Sequence, residues 1–558
     1  MIYFKNFSFT YNGSCQPALS HVSLKINQGE FVLICGKSGS GKTSLCRVIN
    51  GLIPHFHGGA ISGEIEVAGM DPIALSPGRM AVHAGMVFQD PENQLVASRV
   101  SSEICFGMEN LGFERKDIEK RLDWALQLLN IKHLQYRAVY ELSGGEKQRV
   151  AIASVLALKP GILILDEPAS SLDPAEAESL FHNLKQLNRE LKLTIIIIEH
   201  RLERVIGYVN RVIVMEKGEI IFDKPPASLV AENAKELSAL GIRLPPVVQL
   251  YHALQAQGVD LGKAPLSLED SYKTFNEVFS KPMLSLPAAG RAGGASLAVE
   301  MDEVSYSYKN GIQALNGISL RIDGGEVVAI LGCNGSGKTT LVKLLNGLLK
   351  PASGTVKILG NDISGQTVAE VSENVGIIFQ NPGDHLFAET VEEEIAFALK
   401  IKNVPEVEMS ARTTCALKRF NLLQYRRQNP LDLSNGEKQR LALASVAVYE
   451  PAILVLDEPD QGADEHSRQR LAEILSDYRA ALKTVIMITH DVELASRTAD
   501  RVILMEEGKI AIDDNKHEVL SSGDAFSPQI NRLVHRFKQN GVSSRFLTVE
   551  EVLAARHG

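Results

Sequence analysis

Four motifs occur twice in this chain, in the same order and at nearly constant separation. GKSGSGKTS begins at Gly36 and GCNGSGKTT at Gly332, while LSGGEKQRVAIASVLA begins at Leu142 and LSNGEKQRLALASVAV at Leu433. ILILDEP begins at Ile162 and ILVLDEP at Ile453, and IIIIEH ending at His200 is answered by VIMITH ending at His490. Lys42 and Lys338 are 296 residues apart, Ser143 and Ser434 291, Glu167 and Glu458 291, and His200 and His490 290. Two copies of one domain are the economical reading of that pattern. The length of 558 residues agrees, because a single hydrophobic core usually stops growing at about 250–300.

Each copy reads as α/β. Phe31–Cys35, Ile162–Leu165 and Thr194–Ile198 are continuous apolar runs rich in β-branched residues, as parallel strands covered on both faces require. Lys116–Leu134 and Val407–Leu423, which precede the two LSxGE motifs, carry apolar residues at helical spacing and predict a helical subdomain. The repeat continues past the histidines: Pro245, Leu250, His252 and Gly258 return as Pro528, Leu533, His535 and Gly541, and LSLED (266–270) returns as LTVEE (547–551). The predicted organisation is a first domain over 1–236 with a helical appendage over 237–285, then a linker over 286–297 rich in Gly and Ala. A second domain over 298–521 follows, with its own appendage over 522–558.

Gly36, Lys37, Ser38, Gly39, Ser40, Gly41, Lys42, Thr43 and Ser44 form one P-loop; Gly332, Cys333, Asn334, Gly335, Ser336, Gly337, Lys338, Thr339 and Thr340 form the other. The glycines let backbone N–H groups turn inward around phosphates, the lysine reaches the β and γ phosphates, and the hydroxyl of Thr43 or Thr339 ligates magnesium. A strand precedes each loop and a helix follows, which is the context the motif needs. Asp166 and Asp457 end apolar strands and are each followed by a glutamate, Glu167 or Glu458. The aspartate can hold the magnesium shell and the glutamate can polarise an attacking water; an adjacent acidic pair also serves as a helix N-cap elsewhere.

The composition excludes other classes. There are 67 acidic and 58 basic side chains, a net charge of −9, so the chain is not a globally basic nucleic-acid binder. Its six cysteines contain no CxxC pair, which argues against a zinc ribbon, a disulfide scaffold or an iron–sulfur cluster and suits a reducing cytosol. No signal peptide is read at the N-terminus, and apolar runs such as Ile195–Ile198 fall far short of the ~20 residues of a membrane span. Any span would come from another chain.

LSGGE upstream of the acidic pair, with a lone histidine 32 or 33 residues after the glutamate, resembles the nucleotide-binding domain of ABC ATPases. The resemblance covers both halves and implies two tandem P-loop domains that bind ATP and Mg2+ and hydrolyse ATP. It implies that Gln89 and Gln380 are Q-loop residues touching magnesium, and that Ser143, Gly144, Gly145 and Glu146, with Ser434, Asn435, Gly436 and Glu437, meet the ATP held by the opposite half. His200 and His490 would hold the γ-phosphate and water beside the catalytic Glu167 and Glu458. Asp173 and Asp464 would be the D-loop residues. Tyr11 and Tyr308, about 30 residues before the P-loop lysines, stand where the family stacks an aromatic on adenine, a strand aromatic being the plain alternative.

Within that family, QDPENQLVASRVSSEICFGMENLG after Gln89 is similar to the short acidic Q-helix of energy-coupling factor transporter ATPases. The second half reads QNPGDHLFAETVEEEIAFAL, with His385 where the first has Gln94. The resemblance implies a fused pair of energy-coupling ATPases at the cytoplasmic face of the membrane. Their partners would be an integral membrane coupling protein and a substrate-binding membrane component, and the cargo a vitamin, a precursor or a metal ion. The two halves would pair head to tail, Lys42 facing Ser434 and Lys338 facing Ser143. A conventional ABC transporter subunit is the alternative within transport. A ribosome-bound ABC-F factor is the alternative outside it, although residues 237–297 carry five Lys or Arg and four Asp or Glu, a poor RNA clamp. Asn435 replaces Gly144 in one of the two signatures, and because glycine there would permit positive φ, the Lys42 site is expected to be the slower.

Overall fold

The computed structural model describes every residue except 90, 171, 284–295, 310, 382, 384, 385, 460–464, 525 and 558, and only the backbone of Glu92, Asn435, His466 and His557. It divides into two compact units, Met1–Thr274 and Phe275–Gly558.

In the first unit an antiparallel sheet is formed by β1 (Ile2–Tyr11), β2 (Leu19–Ile26) and β4 (Gly59–Val67) in the order β2-β1-β4. β1 alternates buried and exposed side chains, and Phe4, Phe7 and Phe9 enter the core. The second sheet contains β3 (Phe31–Cys35), β5 (Ala84–Val87), β6 (Ile162–Asp166), β7 (Thr194–Ile198), β8 (Arg211–Glu216) and β9 (Glu219–Lys224), ordered β5-β6-β7-β3-β8-β9. Its pairings are parallel except β8 with β9. All five residues of β3, β6 and β7 are buried, as strands covered on both faces must be.

The second unit repeats the plan. β10 (Leu297–Ser307), β11 (Gln313–Asp323), β13 (Ser353–Ile358) and β14 (Asn361–Asp362) form an antiparallel sheet ordered β11-β10-β13-β14. β12 (Val327–Gly332), β15 (Val375–Ile378), β16 (Ile453–Asp457), β17 (Thr484–Ile488), β18 (Arg501–Glu506) and β19 (Lys509–Asn515) form the other, ordered β15-β16-β17-β12-β18-β19.

Each predicted helical stretch before a signature motif resolves into a helix and a short 3-10 turn: Arg115–Leu128 then Lys132–Leu134, and Glu406–Arg419 then Leu423–Tyr425. Asn130 and Asn421 turn the chain between them at φ values of 54° and 53°, in the left-handed region that asparagine tolerates. The appendages also match residue for residue. Pro245 and Pro528 both cap helices, Leu250 and Leu533 are both fully buried, and Gly258 and Gly541 both take φ near 80°.

Residues 275–283 pack in the second unit. Phe279 stacks on Phe537 at 5.2 Å between ring centroids, Asn540 donates its amide to the Phe279 carbonyl at 3.1 Å, and Met283 bridges to Val542. Residues 286–295 of the expected linker lie outside the described residues.

Candidate functional site

In each unit the P-loop, the acidic pair and the histidine lie at the C-terminal ends of the parallel strands, at the point where the strand order reverses, which is where open α/β sheets bind ligands. β3 feeds the first P-loop directly into the helix Lys42–Ile49. Gly41 caps that helix at φ 98°, and Gly36 leaves the strand at φ 151°. A methyl group on Gly36 would sit 2.2 Å from the Met215 carbonyl oxygen, so only glycine fits. Gly332 and Gly337 repeat both conformations, at φ 150° and 99°.

The buried Lys42 ammonium donates to the carbonyls of Gly36 and Lys37 at 2.9 and 2.8 Å, and Lys338 donates to those of Gly332 and Cys333 at 2.8 Å each. Both cations are therefore held inside their loops. Thr43 donates its hydroxyl to Asp166 Oδ2 at 3.0 Å, and Thr339 bonds Asp457 in the same way. Burial first, and the adjacent glutamate second, push Asp166 and Asp457 up to about 6. Asp457 Oδ1 is buried and has no hydrogen-bond partner among the described residues. Such an atom, on a carboxylate bonded by a threonine hydroxyl, suits a hard cation. Tyr11 stands over the helix with its hydroxyl 2.9 Å from Ser44 Oγ, and Tyr308 is 3.0 Å from Thr340 Oγ1.

Glu167 and Glu458 adopt positive φ, 48° and 51°, an uncommon state for glutamate. Each is fixed by its amide, which donates to Ile198 at 3.0 Å or Ile488 at 2.9 Å. Gln89 donates Nε2 to Glu167 Oε2 at 2.9 Å, and Gln380 to Glu458 Oε2 at 3.1 Å. On the other oxygen, His200 Nε2 stands 3.0 Å from Glu167 and His490 Nε2 2.9 Å from Glu458. The same trio, glutamine, glutamate and histidine, is thus assembled twice.

The signature motifs lie at helix starts. Ser143 caps Gly144–Ala157 and Ser434 caps Asn435–Ala447, each closing a capping box with Glu146 or Glu437. The glutamates bond back to the serine amides at 2.8 Å in both copies. Gly144 is the first helical residue, as Asn435 is, so the positive φ expected of glycine there is not used. In sequence the two signatures differ by Asn435 for Gly144. Asp173 caps the helix Pro174–Leu191 by accepting the Glu176 amide at 2.8 Å. Asp464, like Asp90 and His385, lies outside the described residues.

Two features escaped the sequence reading. Gln94 folds back on the Q-loop strand, accepting the Phe88 amide at 3.0 Å and donating to the Met86 carbonyl at 3.1 Å. Glu199, immediately before His200, is buried and accepts the Ala169 amide at 3.2 Å. An acid in an apolar strand run, where the second copy has threonine, was the available signal.

Burial and the negative charge of Glu167 raise Glu199 to about 7, against the opposing effect of Arg204, His200 and the Ala169 amide. A raised carboxyl favours the folded state fully below its unfolded value of 4.5, and that contribution is lost as pH rises through about 7. Glu199→Gln fixes the neutral form. Its melting temperature, measured against the native chain, is expected to match it near pH 4.5 and to exceed it at pH 8.5, a gap on the order of 1–3 kcal/mol. A gap that closes with rising pH would reverse the assignment.

The ABC transporter family model matches residues 19–170 and 315–461, more than half of the chain. The chain belongs to the ABC transporter family. A Methanosarcina mazei protein named "Putative ABC transporter ATP-binding protein" is 37% identical over 534 residues, covering 94% of this chain and 90% of that protein. A Caldanaerobacter subterraneus protein of the same description is 36% identical over 564 residues, covering 99% of this chain and 98% of that protein. Among solved structures, cbiO1 from Clostridium perfringens, described as part of the ABC transporter complex cbiONQ, is 34% identical and covers 44% of this chain and 98% of its own, at a TM-score of 0.39. The chain is an ABC transporter ATP-binding protein with two tandem ATP-hydrolysing cassettes. No helix among the described residues is long and apolar enough to cross a membrane.

Proposed function

We propose that this ABC protein is the fused ATPase subunit of an energy-coupling factor importer, acting at the cytoplasmic membrane face on a separate coupling protein and substrate-binding component. The observation that carries the reading is the link from nucleotide to surface. In each cassette the Q-loop glutamine bonds the acidic residue after the Mg-site aspartate, and seven residues further along the sequence an exposed apolar side chain follows, Val96 or Phe387. In the second cassette Phe387 and Phe397 stack edge to face at 4.6 Å, both exposed, beside a groove of about 180 Å³ lined also by Ile378 and Tyr449. In the first, Val96 and Phe106 are exposed, and the buried Glu103 fixes the loop by accepting the Val96 and Ala97 amides at 2.9 and 2.6 Å. Glu394 does the same for Phe387 and Ala388. Exposed aromatic patches of this kind mark partner surfaces.

At each centre Thr43, Asp166 and Gln89, or Thr339, Asp457 and Gln380, would hold Mg2+, which when bound neutralises phosphate charge. Glu167 and Glu458 orient and deprotonate the attacking water, while His200 and His490 hold the position of the water and γ-phosphate. Binding and hydrolysis of ATP move and reset the Q-loop segments.

Charge reversal at Asp90 and Glu92 tests the coupling role. The double variant is expected to lose most co-purification with the membrane coupling protein while binding ATP normally. If the complex forms at native yield and transport persists, these acids are only a solvated helix start and the energy-coupling reading loses its Q-segment support.

A further inference from the structure

The two centres differ at the residue before the histidine, which is Glu199 in the first and Thr489 in the second. Glu199 is 5% exposed and its Oε1 accepts the Ala169 amide at 3.2 Å. From the short helix Leu202–Val205, Arg204 Nη1 donates to the Ala169 carbonyl at 3.0 Å. Both polar backbone groups of Ala169, itself buried and two residues beyond Glu167, are therefore held from the histidine side. A third bond, from the Glu167 amide to the Ile198 carbonyl at 3.0 Å, joins the same two turns. The 3.0 Å separation of Glu167 and His200 is spanned by this lacing.

The second centre is built otherwise. Thr489 Oγ1 accepts the Asp491 amide at 2.8 Å, and the Asp491 carboxylate accepts the amides of Glu493 and Leu494 and faces Arg468 at 3.6 Å. The His490 turn is thus anchored on its own following helix and on Glu465–Ala480. In the sequence, Asp460 takes the place of Ala169.

We propose that Glu199 is a positioning residue of the first ATPase centre: by gripping the Ala169 amide it holds the turn bearing Glu167 in register with the turn bearing His200. This rests on the reading of Glu167 as the base that activates water. Positioning of this kind acts on the chemical step, since a displacement of about 1 Å can cost about 100-fold in rate without loss of binding.

The test uses the full chain carrying Glu458→Gln, so that hydrolysis reports the first centre. Single-turnover hydrolysis of ATP with magnesium, displacement of trinitrophenyl-ATP and thermal melting are measured together. Glu199→Ala is expected to lower the hydrolysis rate constant roughly 10- to 100-fold with ATP affinity within about twofold, and Glu199→Gln, whose amide oxygen accepts the same N–H, to recover to within about threefold. An unchanged rate in Glu199→Ala, a joint loss of binding and rate, or no rescue by Gln overturns the proposal. Glu167→Gln in the same background separates it from the parent reading: retained turnover there refutes the base, whereas a silent Glu167→Gln beside an active Glu199→Ala refutes only the positioning role. Should the Glu458→Gln background itself be silent, steady-state turnover in the otherwise native chain is compared, where Glu199→Ala is expected to lower the rate and Glu199→Gln to recover it to within about threefold. Equal effects of the two overturn the proposal.

Discussion

The double variant Glu167→Gln, Glu458→Gln is expected to lose at least ~100-fold of ATP turnover in the presence of magnesium while still binding ATP, the scale of removing general base help. Glutamine keeps the volume of the side chain and can keep both of its contacts. The native carboxylates receive Gln89 or Gln380 Nε2 on one oxygen and face His200 or His490 Nε2 at 3.0 or 2.9 Å on the other. A glutamine offers one acceptor and one donor, so it can satisfy the Q-loop amide with its oxygen and turn its NH2 to a histidine whose Nε2 accepts. The architecture survives, and the proton acceptor for water is gone. Coupled-enzyme ATPase rates and isothermal titration with ATP would check this. Turnover above about a tenth of the native rate in the double variant would remove both glutamates from the role of base.

Much of this arrangement was legible in the sequence because its motifs are local. The P-loops, the Asp166–Glu167 and Asp457–Glu458 pairs and the histidines each sit at the end of a strand whose apolar run is visible by inspection, so their convergence follows from one parallel sheet. The contact of Tyr11 with Ser44 was not legible, since the sequence showed only an aromatic about 30 residues before the P-loop lysine. Other parts depend on tertiary adjacency. Ala169 and Glu199 lie 30 residues apart and meet only because β6 and β7 are neighbours in register. The S-x-x-E of each LSxGE motif was itself a capping-box signal, and the structure uses it as one, which makes Gly144 an ordinary first helical residue. The internal repeat assigned 237–285 to the first appendage, and of that stretch Phe275 and Phe279 are fully buried in the second unit, where Phe537 and Asn540 contact Phe279. A hydrophobic residue in a sequence announces burial and not its partner.

Gly36→Ala is expected to abolish ATP binding at the first P-loop and to destabilise its unit by about 3 kcal/mol or more, the range of forced backbone strain combined with overpacking. The added methyl would meet the Met215 carbonyl oxygen at 2.2 Å and Ser40 Oγ at 2.8 Å. Neither neighbour can simply withdraw. Met215 belongs to β8, whose preceding residue Val214 pairs with Cys35 beside the glycine, and the Ser40 carbonyl is fixed by the Gly218 amide at 3.0 Å. Relief would require the loop to leave the sheet edge, carrying the Lys42 ammonium away from the carbonyls that now hold it. Gly39→Ala is the control: its φ is 76°, but a methyl there meets no atom within 4 Å, so the cost is limited to the left-handed backbone, about 1–2 kcal/mol. Binding is read with Lys338→Ala present to silence the second P-loop, and stability as melting temperature in both variants. If Gly36→Ala melts no lower than Gly39→Ala and retains ATP, then the steric seat of the P-loop against β8 is not what shapes the phosphate site. If it melts far lower and Gly39→Ala still binds, the first glycine serves the close approach of strand and loop, while the middle one serves only the turn.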